Sequence, residues 1–373
     1  MNIYGKEKFE DQTSIPYCDF EKIRPEEVDQ ITQKLNPESS SKRIENLHLY
    51  GKRGSGKPLV LSSVKSKLAK NRPDLYMDSI DCRTHDTEYK VLREMVGRLG
   101  KELPESGYSS SEARNLFIKA LSESEKQVII LENVDLLLER DGDNLFYFLS
   151  RLDSEGNLPG LGVVTSSSLV ANLNDMLSPR VRSSYDYEKI ALESLEEGKV
   201  IRVLETYFGK YGVDKEIVAA VVNFLNRSSD GEDIDLKIAY EVLDSLVERY
   251  ERPFDQETMK SAYLFVQRKR YNFLKALLSE HETLLLKAIR RVVSGNEKIR
   301  SGATYEEYRE LCRENDLKPH SDRILGDYLT RLSLLGFVDV ERFEGGKEGK
   351  TRMIEPRPII AQYDSNVSSN IET

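Results

Sequence analysis

The stretch Asn46-Leu47-His48-Leu49-Tyr50-Gly51-Lys52-Arg53-Gly54-Ser55-Gly56-Lys57-Pro58 decides the fold. It opens with the alternation of a strand, breaks at glycines, and continues as a helix-period stretch to Leu68. A strand, a glycine-rich loop and a helix in that order form a phosphate-binding turn. Backbone N–H groups and the helix N-terminus hold phosphate oxygens, and a lysine reaches the outer phosphates. Gly51, Gly56 and Lys57 have the required spacing, so the loop assigns Gly51, Lys52, Arg53, Gly54, Ser55, Gly56, Lys57 and Pro58 to nucleotide binding. Pro58 stands where such loops carry a Ser or Thr that ligates Mg²⁺, and it offers neither a hydroxyl nor an N–H. Proline is tolerated in the first helical turn, so the loop can keep its shape. The expected ligand is ATP or ADP, with Mg²⁺ a weakened companion.

Working outward, strand-like runs at 75–82, 127–131 and 160–165 are separated by helical segments at 88–99 and 110–121. This alternation predicts an α/β P-loop domain with a parallel sheet that binds ligands at the carboxyl ends of its strands. The alternation stops near residue 184. Segments 198–211, 215–226, 235–249 and 256–277 have only helical periodicity, which predicts an all-α lid domain. Helices starting at 282, 305 and 321, then two strands around a glycine-rich turn, follow the order of a C-terminal winged-helix domain. The expected boundaries are 1–184, 185–277 and 278–361, with 362–373 a Ser- and Asn-rich disordered tail.

A length of 373 residues exceeds one typical core, in keeping with several domains. With 64 acidic and 55 basic residues the net charge is -9, so DNA contact must come from a confined basic surface. No apolar run approaches the ~20 residues of a membrane span, and no leader pattern opens the chain. A cytoplasmic, chromosome-associated protein without a membrane partner is expected. Cys18, Cys82 and Cys312 are too scattered for a disulfide framework or a zinc site.

A second site segment is Val128-Ile129-Ile130-Leu131-Glu132-Asn133-Val134-Asp135, an apolar strand ending in polar residues where Asp-Glu is usual. Glu132 retains a carboxylate for Mg²⁺ through water. Asn133 cannot accept the proton of an attacking water, which predicts slow or absent hydrolysis. A plain strand cap at these positions has the same consequence.

Together these motifs resemble the archaeal Orc1/Cdc6 initiators, AAA+ ATPases with a C-terminal winged helix, and the chain is similar to a divergent paralogue over most of its length. Residues 81–92 look like the family's second strand and following helix, and 103–109 like the lead into its helical insertion. Ser178-Pro179-Arg180-Val181-Arg182-Ser183 resembles a segment whose arginine faces a neighbouring subunit's nucleotide, a role implied for Arg180. The sensor-1 position falls in Ser166–Ser168, with Ser167 the nearest placement. Asp235-Leu236-Lys237-Ile238-Ala239 resembles sensor 2, with Lys237 lacking the planar fork of arginine. Four changes in one pocket, at Pro58, Asn133, the Ser run and Lys237, point to relaxed demand for hydrolysis.

The resemblance continues through residues 304–337. The spacing of Leu325, Tyr328, Leu329 and Leu332 puts one helix face in the core and leaves Ser321 and Arg323 to approach a major groove. In the wing, Lys347, Lys350 and Arg352 suit phosphate or minor-groove contact, diluted by Glu344 and Glu348. Arg268-Lys269-Arg270 reads as a solvated helix face. The family implies a replication initiator that binds origin duplex DNA through the winged helix and the AAA+ insertion, with nucleotide as a switching ligand. Other Orc1/Cdc6 subunits and the replicative helicase are its implied partners. Three alternatives stay open: a winged helix that docks protein, retained ATPase activity with Glu132 on the metal, and a non-catalytic DNA-binding regulator or partner subunit outside replication.

Overall fold

Five short strands form a wholly parallel sheet, ordered β2-β3-β4-β1-β5: β1 (Leu47–Tyr50), β2 (Leu75–Asp81), β3 (Lys126–Glu132), β4 (Leu161–Ser167) and β5 (Glu188–Ala191). The computed structural model describes residues 24–36, 44–52, 54–152, 160–167, 173–228, 235–293, 298–345 and 349–357. Side chains at 342–351 lie outside that description, as do Cys18, Arg53, Lys347 and the tail expected at 362–373. β3 and β4 have neighbours on both sides and are buried along most of their length, as a doubly covered parallel sheet requires. The sequence pattern ends the sheet region at 184, yet β5 adds a fifth strand. Only Ile190 of its four residues is buried, so it carries no apolar run to betray it.

Eight helices belong to this part: α1 (Pro25–Leu35), α2 (Lys57–Asn71), α3 (Glu88–Arg98), α4 (Ser110–Ser122), α5 (Val134–Asp141), α6 (Asn144–Leu152), α7 (Leu173–Met176) and α8 (Pro179–Arg182). Thr87 caps α3, and Ser109 with Glu112 forms a capping box at α4, so both helices start where side-chain oxygens meet otherwise unpaired N–H groups. Val91, Val96, Phe117, Leu131 and Phe146 close one continuous core. A helical group follows, α9 (Glu197–Phe208), α10 (Lys215–Ser228) and α11 (Leu236–Arg249), with Tyr207, Phe208 and Tyr240 packed ring against ring at 5.0–5.2 Å. α12 (Gln256–Ala276) comes next, and the chain divides within it into two compact units, Met1–Ala262 and Tyr263–Thr373. The sequence reading starts its winged helix later, at 278.

The second unit contains α13 (Glu280–Val292), β6 (Ile299–Arg300), α14 (Ser301–Glu314), α15 (Asp322–Leu335), β7 (Val338–Gly345) and β8 (Gly349–Pro356). The strands form an antiparallel sheet ordered β6-β8-β7, completing a winged helix. Leu325, Leu329 and Leu332 are fully buried on one face of α15, as their spacing predicts. Glu282 anchors this core. Its carboxylate completes a capping box with Ser279 at α13 and meets Arg331 Nε of α15 at 3.2 Å, with both side chains almost wholly buried.

Removing one partner of a buried pair strands the other charge, whereas replacing both with apolar groups of similar volume is nearly neutral. Arg331→Met should therefore lower unfolding stability by about 3 kcal/mol, read by urea denaturation. The double variant Glu282→Gln/Arg331→Met should recover most of that loss. Equal loss in both would show that the pair contributes nothing through its charge.

Candidate functional site

Parallel strands end on one edge, and the register here lines up their last residues: Tyr50 pairs with Ser167, Ser166 with Glu132, and Glu132 with Asp81. The glycine-rich loop leaves this rim at β1. A Cβ on Gly51 would stand 2.1 Å from the carbonyl oxygen of Leu192, and one on Gly54 2.6 Å from Cα of Asp235. The loop is thus wedged between the chain beyond β5 and the cap of α11, too closely for any side chain. Gly56 caps α2, which begins at Lys57 and takes Pro58 in its first turn without disturbance. Lys57 is buried, and its Nζ donates to Gly51 O at 2.6 Å, Lys52 O at 2.9 Å and Ser55 Oγ at 3.3 Å. A backbone cradle that excludes Cβ atoms, with an ammonium held at its centre, fits the phosphates of a nucleotide.

A Mg²⁺ ion held by the protein fits less well. Among the described residues no group of three or more His, Cys, Asp or Glu is placed to hold a metal. With Pro58 offering no oxygen, Glu132 is the carboxylate left for that role at the end of β3. Burial pushes the Glu132 carboxyl up and the charge of Asp81 adds to this, while Arg83 and Lys237 pull it back. Asn133 has a left-handed backbone, φ 54°, and its Nδ2 donates to Asp81 Oδ1 at 2.9 Å. Asp81 also accepts from Arg83, through the backbone N–H at 2.9 Å and Nε at 2.8 Å, with Nη2 at 2.6 Å. Burial alone would raise the Asp81 carboxyl, but the Arg83 and Asn133 bonds hold it below the ordinary carboxylate range. Asp81 and Arg83 are site residues that the sequence reading passed over. Their signal was a carboxylate ending a strand and a cation two residues on, weaker than the apolar run that marked Glu132 because β2 is only half apolar.

At the sensor-1 position Ser167 is buried, its Oγ 3.4 Å from His48 Nε2. His48 Nδ1 lies 2.8 Å from Thr165 Oγ1, which donates to Leu47 O at 3.2 Å. That direction leaves Nδ1–H of His48 donating to Thr165 and Nε2 accepting from Ser167. Burial, then the charges of Lys189 and Lys57, push the imidazole down to about 4, so it is neutral at pH 7. His48, counted only as part of the alternating strand, therefore fixes the rotamer of Ser167. Lys237 sits in the first turn of α11, where Asp235 caps by accepting its backbone N–H at 2.9 Å. Its Nζ is 3.9 Å from Glu241. The fold thus gathers the loop, Glu132, Asn133, Ser167 and Lys237 within the first unit. Arg180 is exposed on α8, its guanidinium 3.9 Å over the Tyr147 ring.

In the second unit Ser321 stands at the N-cap position of α15 without a side-chain capping bond, and Asp322, Arg323 and Ile324 are exposed in its first turn, Asp322 paired to Arg309. Arg352 turns inward, its Nη1 donating to Gly326 O and, at 3.2 Å, to Thr330 Oγ1, which ties β8 to α15. Lys350 faces Glu344 in the β7–β8 register.

A five-stranded parallel sheet with a glycine loop after its β1, polar strand ends beside it and a helical lid, followed by a winged helix, defines an AAA+ P-loop protein with a C-terminal winged-helix domain. Family models agree in both parts, an AAA domain over residues 43–169 and the CDC6 C-terminal winged helix domain over 276–357. The ORC1-type DNA replication protein of Desulfurococcus amylolyticus is 27% identical over 361 residues, 94% of this chain and 91% of that protein. ORC1-type DNA replication protein 1 of Sulfurisphaera tokodaii is 25% identical over 362 residues, 93% and 90% of the two chains. The Aeropyrum pernix ORC1 protein, solved in complex with DNA, shares the fold at a TM-score of 0.70 with 24% identity, covering 91% of this chain and 90% of its own. The chain belongs to the Orc1/Cdc6 family. No helix among the described residues is long and apolar enough to cross a membrane.

The His48 ladder sets a pH dependence. Unfolded, the imidazole titrates near 6.5; folded, near 4, so as pH falls the unfolded chain takes up its proton first. The stabilisation is complete above pH 6.5 and is lost between there and 4, amounting to about 3 kcal/mol. Chemical denaturation across pH 4–7 should show His48→Asn losing less stability than the wild type on acidification. Parallel curves would refute a neutral buried His48.

Proposed function

We propose that this chain is a replication initiator of the Orc1/Cdc6 type that binds origin duplex DNA and holds ATP or ADP as a switching ligand, with weak or absent hydrolysis. The asymmetry of the pocket carries the reading. The phosphate cradle is intact and Lys57 is seated in it, while Pro58 withholds the metal-ligating hydroxyl and Asn133 presents an amide donor where a proton acceptor is needed. The contact of Gly54 with Asp235 supports the switching role, because the loop bears directly on the cap of α11. A phosphate in the loop then biases the seating of that helix.

The relatives are named as replication proteins and the Aeropyrum pernix ORC1 protein was solved on DNA, which supports reading α15 as the groove-facing helix. Arg323 in its exposed first turn is the base- or phosphate-contacting group with Ser321 beside it, and Lys347 and Lys350 of the wing neutralise phosphates. Arg352 holds the wing strand in place as well as adding charge. Arg180, exposed beside Tyr147, is positioned for a neighbouring subunit, and the replicative helicase is the partner such an assembly would recruit. The protein would then act on the chromosome in the cytoplasm.

Extraction of the purified protein should release adenine nucleotide, and Lys57→Ala should release none. An empty wild-type pocket that also fails to bind added ATP would sink the ligand role. Arg323→Ala should weaken duplex binding about tenfold and reduce the slope of log affinity against log salt by about one if its contact is to phosphate. Unchanged affinity removes α15 from the interface. Mapping chromosomal sites separates initiator from regulator, since enrichment at promoters instead of one or a few origins contradicts the initiator reading.

A further inference from the structure

Asp81 and Arg83 stand at the end of β2 on the rim of the sheet, with Asp81 bonded to Asn133, one of the four positions whose chemistry has changed. Asp81 Oδ1 takes the Asn133 amide and the Arg83 backbone N–H, each at 2.9 Å, and Oδ2 takes Arg83 Nε at 2.8 Å with Nη2 at 2.6 Å. A carboxylate has about four acceptor sites, so this one is saturated. Two of its four donors are fixed: the Arg83 N–H belongs to the turn after β2, and Asn133 is set by its left-handed backbone. The guanidinium alone sits at the end of a flexible side chain. It is 24% exposed, and Asp81 is 19% exposed, so the pair is partly open to solvent at the end of β2. Arg83 also feels the charges of Glu132, at the end of β3, and Glu241, on α11. It therefore lies near both the end of β3 and the helix that carries Lys237.

A terminal phosphate carries more charge than one carboxylate and matches the guanidinium fork, so it competes for Arg83. An acid at position 133 would face Asp81 at hydrogen-bond distance, where two carboxylates cannot both stay ionised. Asn133 and Asp81 thus fit each other as a pair, and the carboxylate missing from 133 is present one strand away.

Building on the nucleotide-ligand reading, we infer that Arg83 passes from Asp81 to the terminal phosphate of a bound nucleoside triphosphate, and that the Asp81 Oδ2 it uncovers is the proton acceptor that Asn133 cannot be. In that step a water oxygen bonds to the terminal phosphorus, and the bond from that phosphorus to its bridging oxygen breaks. The electron pair of the broken bond leaves with the nucleoside diphosphate. Asp81 takes the water proton and returns it to the phosphate released. Arg83 supplies the fork that Lys237 lacks, and the Asn133 amide keeps Asp81 oriented throughout.

The test uses the full chain, fluorescent ATP and ADP analogues for affinity, and phosphate release for turnover. Arg83→Gln should cut the preference for triphosphate over diphosphate at least about tenfold, and Arg83→Lys should keep part of it. The isosteric Asp81→Asn should bind triphosphate about tenfold more tightly, having lost both a competitor for Arg83 and a repelling charge, with diphosphate affinity unchanged. Its phosphate release should nevertheless fall from the slow wild-type rate to that of a protein-free control. Tighter binding with lost turnover is not the signature of a damaged fold. An Arg83→Gln chain with wild-type preference overturns the phosphate contact. Asp81→Asn turning over at the wild-type rate, or a wild-type chain that binds ATP and releases no phosphate above control, overturns the role of Asp81. Wild-type protein that binds neither nucleotide removes the ligand reading itself, a different result from any of these.

Discussion

A parallel sheet must end all its strands on the same edge, and that constraint organises everything chemical in the first unit. Residues far apart in sequence, Tyr50, Ser167, Glu132 and Asp81, become neighbours because ladder register places them there. The glycine loop can then cross the rim only by giving up side chains. Gly51 has the Leu192 carbonyl against it and Gly54 has Asp235, so the loop is shaped as much by its surroundings as by its own sequence. The cap of α11 rests on the loop through Asp235, so the loop and that helix are built against each other.

Charge is the second constraint on this rim. Lys57 is held by loop oxygens and Arg83 by Asp81, and Lys237 lies 3.9 Å from Glu241. Glu132 is the exception in kind. Burial and Asp81 press its carboxyl toward the neutral form, and Arg83 and Lys237 only partly offset them. Such a carboxylate is stabilised by whatever brings positive charge, and drawing Arg83 away would push it further toward the neutral form, which ties the protonation of Glu132 to the position of a guanidinium in the turn after β2.

Much of this was legible in the sequence. The strand, loop and helix of residues 46–68 and the apolar run into Glu132 fixed the class of fold, because glycine spacing and alternation are local signals. The leucine spacing of α15 likewise predicted a buried face that the structure contains. Short-range signals fail where a role depends on partners distant in sequence. His48 reads as one polar residue of an alternating strand; only pairing with β4 makes it the imidazole between Thr165 and Ser167. Asp81 and Arg83 read as a strand end, and only the β2–β3 register shows Asn133 answering to Asp81. β5 escaped because a four-residue strand with one buried side chain has no periodicity to detect.

The wing shows the same principle acting on charge. Arg352 is one of several basic residues near a glycine turn, and composition alone treats it like Lys347 and Lys350. The fold gives Arg352 a structural task, because its guanidinium bonds Gly326 and Thr330 and so joins the wing strand to α15. A cation committed to two oxygens of its own domain holds β8 against α15. A basic residue counted from sequence can thus serve the packing of its own domain, and the hydrogen-bond partners of its guanidinium are what reveal that task.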